Sequence, residues 1–163
     1  MADQIITQEF LHKIYKYRDG VLYRKPQTKR CKSDLVVGTT RKDGYTRVSI
    51  NNKLYYAHRL IYIMFYGEMP VQIDHIDGNP SNNCVKNLRS ASNAQNSFNK
   101  KAFKTNKSGY KNVHWHKSAN KWSVEIKVYS KKMYFGLFED LELADLVAQE
   151  ARDKHHKEWA NHS

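Results

Sequence analysis

The sequence predicts an α+β fold built from small modules, and three features of the chain lead to this prediction. First, 163 residues of which 40% are hydrophobic suffice for one modest core or two small ones. Second, short runs of alternating apolar and polar residues recur between turn-forming residues, as in antiparallel strands. Third, longer segments show helix periodicity behind capping residues. The elements group into a small basic N-terminal α/β lobe at 1–70, a central strand-loop-strand-helix motif at 71–103, and a C-terminal three-stranded antiparallel sheet packed on one helix at 104–163.

The N-terminal lobe mixes helices and strands. Thr7 is placed to cap a helix that runs to Tyr17. A hairpin is expected around Asn51-Asn52, because Asn tolerates the positive φ of a two-residue turn. The further expected elements are the strands Val21–Arg24, Tyr45–Ile50 and Lys53–Ala57, a basic loop with Lys29, Arg30 and Lys32, and a helix His58–Tyr66 closed by Gly67.

The central segment predicts two short strands, a loop and a helix. The first strand is Gln72–His75, and the turn-forming run that follows it returns the chain to a second strand at Asn87–Arg89. Ser92 and Gln95 then form a capping box for a helix to about Lys101.

The C-terminal segment predicts a sheet covered by one helix. Its middle run alternates apolar and polar residues, so one face of the sheet belongs to a core and the other is wet and basic. A helix from Asp140 to about Trp159 is expected to cover the apolar face with Ala144, Val147, Ala148, Ala151 and His155. The three expected strands are Tyr110–His116, Lys121–Val128 and Lys131–Phe138.

The charge distribution indicates a polyanionic partner or an anionic membrane face. Lys and Arg number 28 against 16 Asp and Glu, for a net charge of +12. The net charge is +8 for residues 1–66, +1 for 67–103, +7 for 104–138 and −4 for the remaining residues. Two basic flanks around a nearly neutral centre are expected where the flanks neutralise phosphates and the centre carries out metal chemistry. The alternative for either flank is a solvated basic surface.

The sequence favours a cytoplasmic protein over a membrane protein. The longest apolar run, Leu60–Tyr66, is far shorter than the ~20 residues that span a bilayer, and the first residues lack a signal pattern. Cys31 and Cys84 are isolated, which argues against a disulfide framework or a zinc site. Both are interpreted as free thiols.

Three polar residues of the central segment have the chemistry for phosphodiester hydrolysis. This reaction needs a base that activates water and a hard divalent cation that stabilises charge on the phosphate. His75 is the candidate base, and Asp74 and Asn96 offer oxygen ligands of the kind that Mg²⁺ or Mn²⁺ prefers. Asn93, Asn96 and Lys100 recur at helical spacing, so their face of the helix is expected to look back at Asp74 and His75.

At these residues the sequence resembles the HNH, or ββα-metal, endonuclease family, especially the phage enzymes that include intron-encoded homing endonucleases. The match consists of Asp74-His75, the Asn of Asn87-Leu88-Arg89, Asn96, and the upstream stretch Ala57–Pro70. The resemblance implies that His75 and Asn87 are catalytic, His75 as general base and Asn87 holding the loop that orients it, while Asp74 and Asn96 bind the metal. Asn96 stands where many relatives have His, which favours Mg²⁺ or Mn²⁺ over zinc.

The same resemblance implies how the enzyme acts. Its products would be 5′-phosphate and 3′-hydroxyl ends, formed in the cytoplasm of a phage-infected or bacterial host cell. One metal site per chain suggests a monomer on DNA that nicks one strand unless two copies act together. For His58 and Arg59, a phosphate contact is an alternative to a place at the edge of the core, and the core is preferred, so neither is counted as catalytic.

The segment from Gly109 to Ala151 resembles the APETALA-type, or ethylene-response-factor, DNA-binding domain. In that family a three-stranded sheet lies in the major groove. Lysine and histidines stand where plant members have arginines, which implies looser base recognition. The DNA-contacting residues implied by position are Lys111, His114, His116, Glu125, Lys127, Lys132 and Tyr134.

These observations predict a metal-dependent DNA endonuclease that hydrolyses phosphodiester bonds in duplex DNA. The main alternative is a DNA-binding regulator in which the HNH segment is an inactive scaffold. An RNA-directed protein is disfavoured, because the sheet has no evident aromatic platform for splayed bases.

Overall fold

The computed structural model describes residues 6–26, 35–102 and 105–162 and confirms the α+β class. The chain forms two compact units, Met1–Ala91 and Ser92–Ser163. The boundary expected near residue 70 has no counterpart, because one hydrophobic core unites the N-terminal lobe with the strands that follow it. The predicted basic loop with Lys29, Arg30 and Lys32, and Cys31 within it, lie outside the described residues.

The described part of the first unit contains two helices and eight short strands. Its strands form the sheets β1-β2-β3 and β4-β5-β6 and the hairpin β7-β8, each antiparallel. In chain order the elements are α1 (Gln8–Ile14), β1 (Tyr15–Arg18), β2 (Val21–Arg24), β3 (Leu35–Val36), β4 (Thr39–Thr40), β5 (Thr46–Ile50), β6 (Lys53–Tyr56), α2 (Ala57–Tyr66), β7 (Gln72–His75) and β8 (Leu88–Ala91).

The first helix is shorter than predicted. Thr7 caps α1, since its side chain accepts a hydrogen bond from the Phe10 N–H, but the helix ends at Ile14. Tyr15 has extended backbone and pairs with Arg24 across β1 and β2. Tyr15 is 1% exposed, so burying this aromatic ring on a pleated surface outweighs continuing the helix. The prediction of helix as far as Tyr17 is therefore wrong.

Turn residues account for the hairpin and the second helix as predicted. Asn51 and Asn52 have φ angles of 50° and 62°, which join β5 to β6 in a two-residue turn. Gly67 ends α2 with a φ of 74°, and its N–H donates to the Ile63 carbonyl. Leu60 and Ile61 of α2 are completely buried, and burial of such a side chain contributes about 1.5–3 kcal/mol.

The second unit is a sheet covered by a long helix. β10 is its central strand, and β9 and β11 pair with it antiparallel. Val124 pairs with Gly136 and Glu125 with Tyr134, so β11 contains a β-bulge at this point. The elements are α3 (Asn93–Phe98), β9 (Val113–His116), β10 (Lys121–Val128), β11 (Lys131–Phe138) and α4 (Leu141–His156).

Small residues of α4 pack on the apolar face of this sheet. Ala144, Ala148 and Ala151 are buried as predicted, whereas the buried histidine is His156 rather than His155. The Ser92 and Gln95 capping box starts α3. Among the described residues of the chain, no helix has the length and apolarity needed to cross a bilayer.

Candidate active site

The hairpin of β7 and β8 presents the central acidic residue of the predicted site. Asp74 lies directly opposite Arg89 in the hairpin register, and His75 lies opposite Leu88. The Arg89 Nε donates to Asp74 Oδ2 at 2.9 Å, and the Asp74 side chain is 6% exposed. A charged hydrogen bond in such a buried place fixes the carboxylate firmly.

The loop between the two strands is closed by its own side chains. Asn87 Oδ1 accepts from the Asp77 N–H at 3.0 Å, while Asn87 Nδ2 donates to Asp77 Oδ1 at 2.9 Å and to the Asn82 carbonyl at 2.8 Å. The Ile76 N–H also donates to the Asn87 carbonyl at 2.9 Å. Asn87 therefore links both ends of the loop that follows His75.

Asp77 is held as a carboxylate at the start of this loop. Burial alone would raise the pKa of Asp77, but hydrogen bonds from the Asn79 N–H and from the Asn82 and Asn87 side chains outweigh it and lower that pKa below its ordinary value. The loop is consequently fastened by an anion that resists protonation.

His75 is buried and its ring orientation is set by an amide. The side chain is 6% exposed, and its Nε2 lies 3.0 Å from Asn83 Oδ1. An amide oxygen only accepts, so this contact fits the neutral tautomer with its proton on Nε2 and with Nδ1 as the basic nitrogen.

A cluster of aromatic rings and a second histidine surrounds His75. The His58 ring centroid lies 5.1 Å from that of His75, and His58 stacks on Tyr56 at 5.5 Å. Tyr45 contacts both histidines, at 5.5 Å and 6.1 Å. Burial, then repulsion from His75 and Arg59, lowers the pKa of His58 to about 3. His58 is thus a neutral packing partner of His75.

Two glycine turns of the N-terminal lobe support the loop. A Cβ at Gly20, where φ is 85°, would lie 2.9 Å from the Cys84 nitrogen. A Cβ at Gly44 would lie 2.7 Å from Pro80, and the Gly44 carbonyl accepts from Ser81 Oγ at 2.9 Å. The Tyr17 hydroxyl also accepts from the Val85 N–H at 2.9 Å. The lobe predicted only as a DNA-binding module therefore also supports the loop of the active site.

The donor chemistry of the predicted metal residues fits a hard cation. Asp74 supplies a buried carboxylate, and a carboxylate with an amide oxygen suits Mg²⁺ or Mn²⁺, which retain several waters. Asn96 lies on α3 in the second unit, and its metal-binding role stays a prediction. Within 6–26, 35–102 and 105–162, no three His, Cys, Asp or Glu side chains form a metal-binding cluster.

Six of the seven predicted DNA-contacting residues share one face of the β9-β10-β11 sheet. Lys127 pairs with Lys132, Glu125 with Tyr134, and His114 and His116 pair with the alternate residues Ser123 and Lys121 of β10. Five of the six are exposed, and the half-buried Glu125 forms an ion pair with Lys132 at 3.4 Å.

Lys111 is placed differently, because it precedes β9 and is turned inward. Its Nζ donates to the Phe98 carbonyl at 2.7 Å and to the Asn161 carbonyl at 3.1 Å. Burial, then the nearby Arg152, lowers the pKa of Lys111 to about 8. In the structure this ammonium ties segments of the second unit together.

Sequence reasoning did not single out Asn83, Asp77 and Tyr45. The first two were treated as general turn-formers in an Asn-rich loop, although Asn83 is the partner of His75. The preferred core position of His58 is confirmed by its burial, but its contact with His75 was not foreseen.

Comparison with known proteins identifies the class. A family model described as HNH endonuclease matches residues 55–98. Protein 3.8 of Escherichia phage T7 is 37% identical over 83 residues, which are 51% of this chain and 69% of that protein. The chain belongs to the HNH endonuclease family.

A second relative carries the family's name. An uncharacterized HNH endonuclease of Acanthamoeba polyphaga mimivirus is 41% identical over 75 residues, which are 44% of this chain and 39% of that protein. No solved structure matches the chain.

Proposed function

We propose that this protein is a metal-dependent endonuclease that hydrolyses phosphodiester bonds in duplex DNA, in the manner of the phage HNH enzymes. The observation that carries the proposal is His75, a buried imidazole whose Nε2 lies 3.0 Å from Asn83 Oδ1 and which directly follows a fixed carboxylate, Asp74. This is the arrangement expected of a general base beside a cation ligand.

In the proposed mechanism, His75 Nδ1 accepts a proton from the attacking water. The water oxygen bonds to phosphorus, the P–O3′ bond breaks, and the departing O3′ takes a proton from solvent, so the products carry 5′-phosphate and 3′-hydroxyl ends. Asn83 keeps the ring in the reactive tautomer, and Asn87 maintains the loop on which Asn83 lies. Asp74 and Asn96 would hold Mg²⁺ or Mn²⁺, with Arg89 orienting Asp74. The bound cation supplies stabilisation of the negative charge that develops on the phosphate.

We infer that the second unit holds the DNA through the exposed face of its sheet, as the resemblance to the APETALA-type domain implies. Residues 104–138 carry a net charge of +7, and Lys127 and Lys132 lie side by side on that face. Lysines contact phosphates as point charges, so this face would bind duplexes with modest sequence preference.

A cleavage assay tests the proposal. Supercoiled DNA is incubated with wild type, with His75→Ala and with His12→Ala, an exposed histidine outside the site, each with Mg²⁺, Mn²⁺ or chelator. We expect nicked circles with wild type and His12→Ala in either metal, none with chelator, and a loss of at least about 100-fold with His75→Ala.

Two outcomes would count against the proposal. Undiminished cleavage by His75→Ala would overturn the assigned base. Tight duplex binding without cleavage under any metal would favour the alternative, a DNA-binding regulator with an inactive HNH segment. That alternative rests on the sheet face alone and leaves the fixed Asp74 and His75 pair without a role.

A further inference from the structure

The second unit contains a basic cavity that the proposed chemistry does not use. Its volume is about 270 Å³, and it is bounded by residues that follow α3 and by the end of the sheet where β9 begins. Lys100, Lys101, Lys111 and Lys127 line it together with His114, and none of the described residues that line it is acidic. The cavity therefore gathers four ammonium groups from three separate segments.

The four cavity lysines differ in their partners from two lysines of the β9-β10-β11 sheet. Lys121 and Lys132 each form an ion pair with a glutamate, at 3.2 Å and 3.4 Å. Across the described residues, no carboxylate lies within ion-pair distance of the four cavity lysines. Like charges around one small volume repel each other, and an anion seated among them reverses the sign of that interaction.

Lys111 adds a second, independent observation. Its half-buried ammonium donates to two backbone carbonyls, those of Phe98 and Asn161, and an ammonium has three N–H donors. A desolvated cation held by neutral acceptors alone is energetically costly, and an anionic acceptor in the cavity would offset that cost.

The position of the cavity indicates which anion it takes. His114 and Lys127 line the cavity and also belong to the exposed sheet face, so a strand of DNA lying on that face passes the cavity entrance. We propose that the cavity is a phosphate-binding pocket that seats one backbone phosphate of the bound duplex. This inference rests on the proposed function, because it takes DNA as the ligand.

Salt-dependent binding of a mixed-sequence 20-base-pair duplex tests the pocket in the full chain. The pocket variant is Lys100→Gln with Lys101→Gln, two exposed lysines outside the predicted contact set of the sheet. The control is Lys131→Gln with Lys154→Gln, which removes the same charge from exposed positions that do not line the cavity. We expect the pocket variant to lose about tenfold in affinity and the slope of log K against log salt to shrink by about 0.9, which corresponds to one phosphate contact. The control pair should keep the wild-type slope.

The other outcomes separate the pocket from the proposed function. An unchanged slope in the pocket variant, or equal losses in both variants, would overturn the pocket while wild-type binding still supports the function. A wild type that binds no duplex would overturn both. In a parallel titration, inorganic phosphate that raises the melting temperature of wild type but not of the pocket variant, with equal duplex binding by the two, would assign the pocket to free phosphate and overturn the DNA source.

Discussion

Replacing His58 with phenylalanine should make the first unit more resistant to acid. His58 is buried, stacks on Tyr56 and meets His75 edge to face, and burial lowers its pKa from 6.5 to about 3. The folded state therefore disfavours the protonated ring, whereas the unfolded chain protonates it near pH 6.5. Stability from the neutral ring is complete above pH 6.5 and is lost as the pH falls toward 3. One pKa unit corresponds to about 1.4 kcal/mol, so wild type should lose roughly 2–3 kcal/mol at pH 4.5 through this group alone.

Hydrogen exchange of the α2 amides measures this effect in the correct unit. Wild type, His58→Phe and Lys42→Gln, a control at an exposed position outside α2, are compared at pH 7 and pH 4.5, after correction for intrinsic exchange rates. Between pH 7 and pH 4.5, the opening free energy of α2 should decrease in wild type and in the control by roughly 2–3 kcal/mol more than it does in His58→Phe. All three tryptophans, Trp115, Trp122 and Trp159, lie in the second unit, so their fluorescence should follow the same acid transition in all three proteins. Equal acid losses in wild type and His58→Phe would refute the assignment of a neutral, buried His58.

Three further predictions concern the loop and the second unit. Asn87→Ala removes three side-chain hydrogen bonds from the loop. We expect the cleavage rate to fall at least about 100-fold and the free energy of unfolding in urea to fall by about 1–3 kcal/mol. A change in stability without a change in cleavage would contradict the positioning role. Gly20→Ala should reduce cleavage more than Gly67→Ala. Both positions have positive φ, but only a Cβ at Gly20 would clash with the backbone of the loop that follows His75. Equal cleavage rates in the two variants would contradict this prediction. Arg152→Met removes a fully buried cation whose Nη1 donates to the Lys111 carbonyl at 2.6 Å and whose Nη2 lies 3.9 Å from the largely buried Asp145 carboxylate. Because the variant leaves Asp145 without this partner, tryptophan fluorescence during urea unfolding should show a loss of about 3–5 kcal/mol, against less than about 1 kcal/mol if these contacts are dispensable.

Local signals allowed much of the fold to be predicted from the sequence. Caps and turns act within a few residues, so the Ser92 capping box, the Asn51-Asn52 turn and the Gly67 helix end are found where the pattern placed them. The strands β10 and β11 match the predicted bounds for the same reason. Local chemistry is sufficient where each residue's neighbours in sequence are also its main partners.

Features that depend on distant residues could not be predicted in this way. Tyr15 begins a strand because it pairs with β2 and its ring is buried in the shared core. No local pattern in the sequence distinguishes this strand from one more turn of helix. Lys111 is a lysine before a basic strand in the sequence, and only the fold reveals the two carbonyls that hold it. The pairing of His75 with Asn83 similarly needs the closed loop. Asp74, His75 and Asn87 were predicted as site residues through the resemblance to the HNH family, and their roles stay a prediction.

The shared core of the first unit extends beyond the residues that the family model matches. The residues matched by the family model, 55–98, omit Leu11, Tyr15 and Leu22, which are buried in the same core as α2. A peptide limited to that match would leave one flank of α2 in water and lack the turns that abut Pro80 and Cys84. Grafting this HNH motif onto another protein therefore requires the stretch from residue 6 to 98, which keeps both this core and Asn96 of α3. Sequence ahead of a family match is worth keeping when such proteins are dissected or recombined.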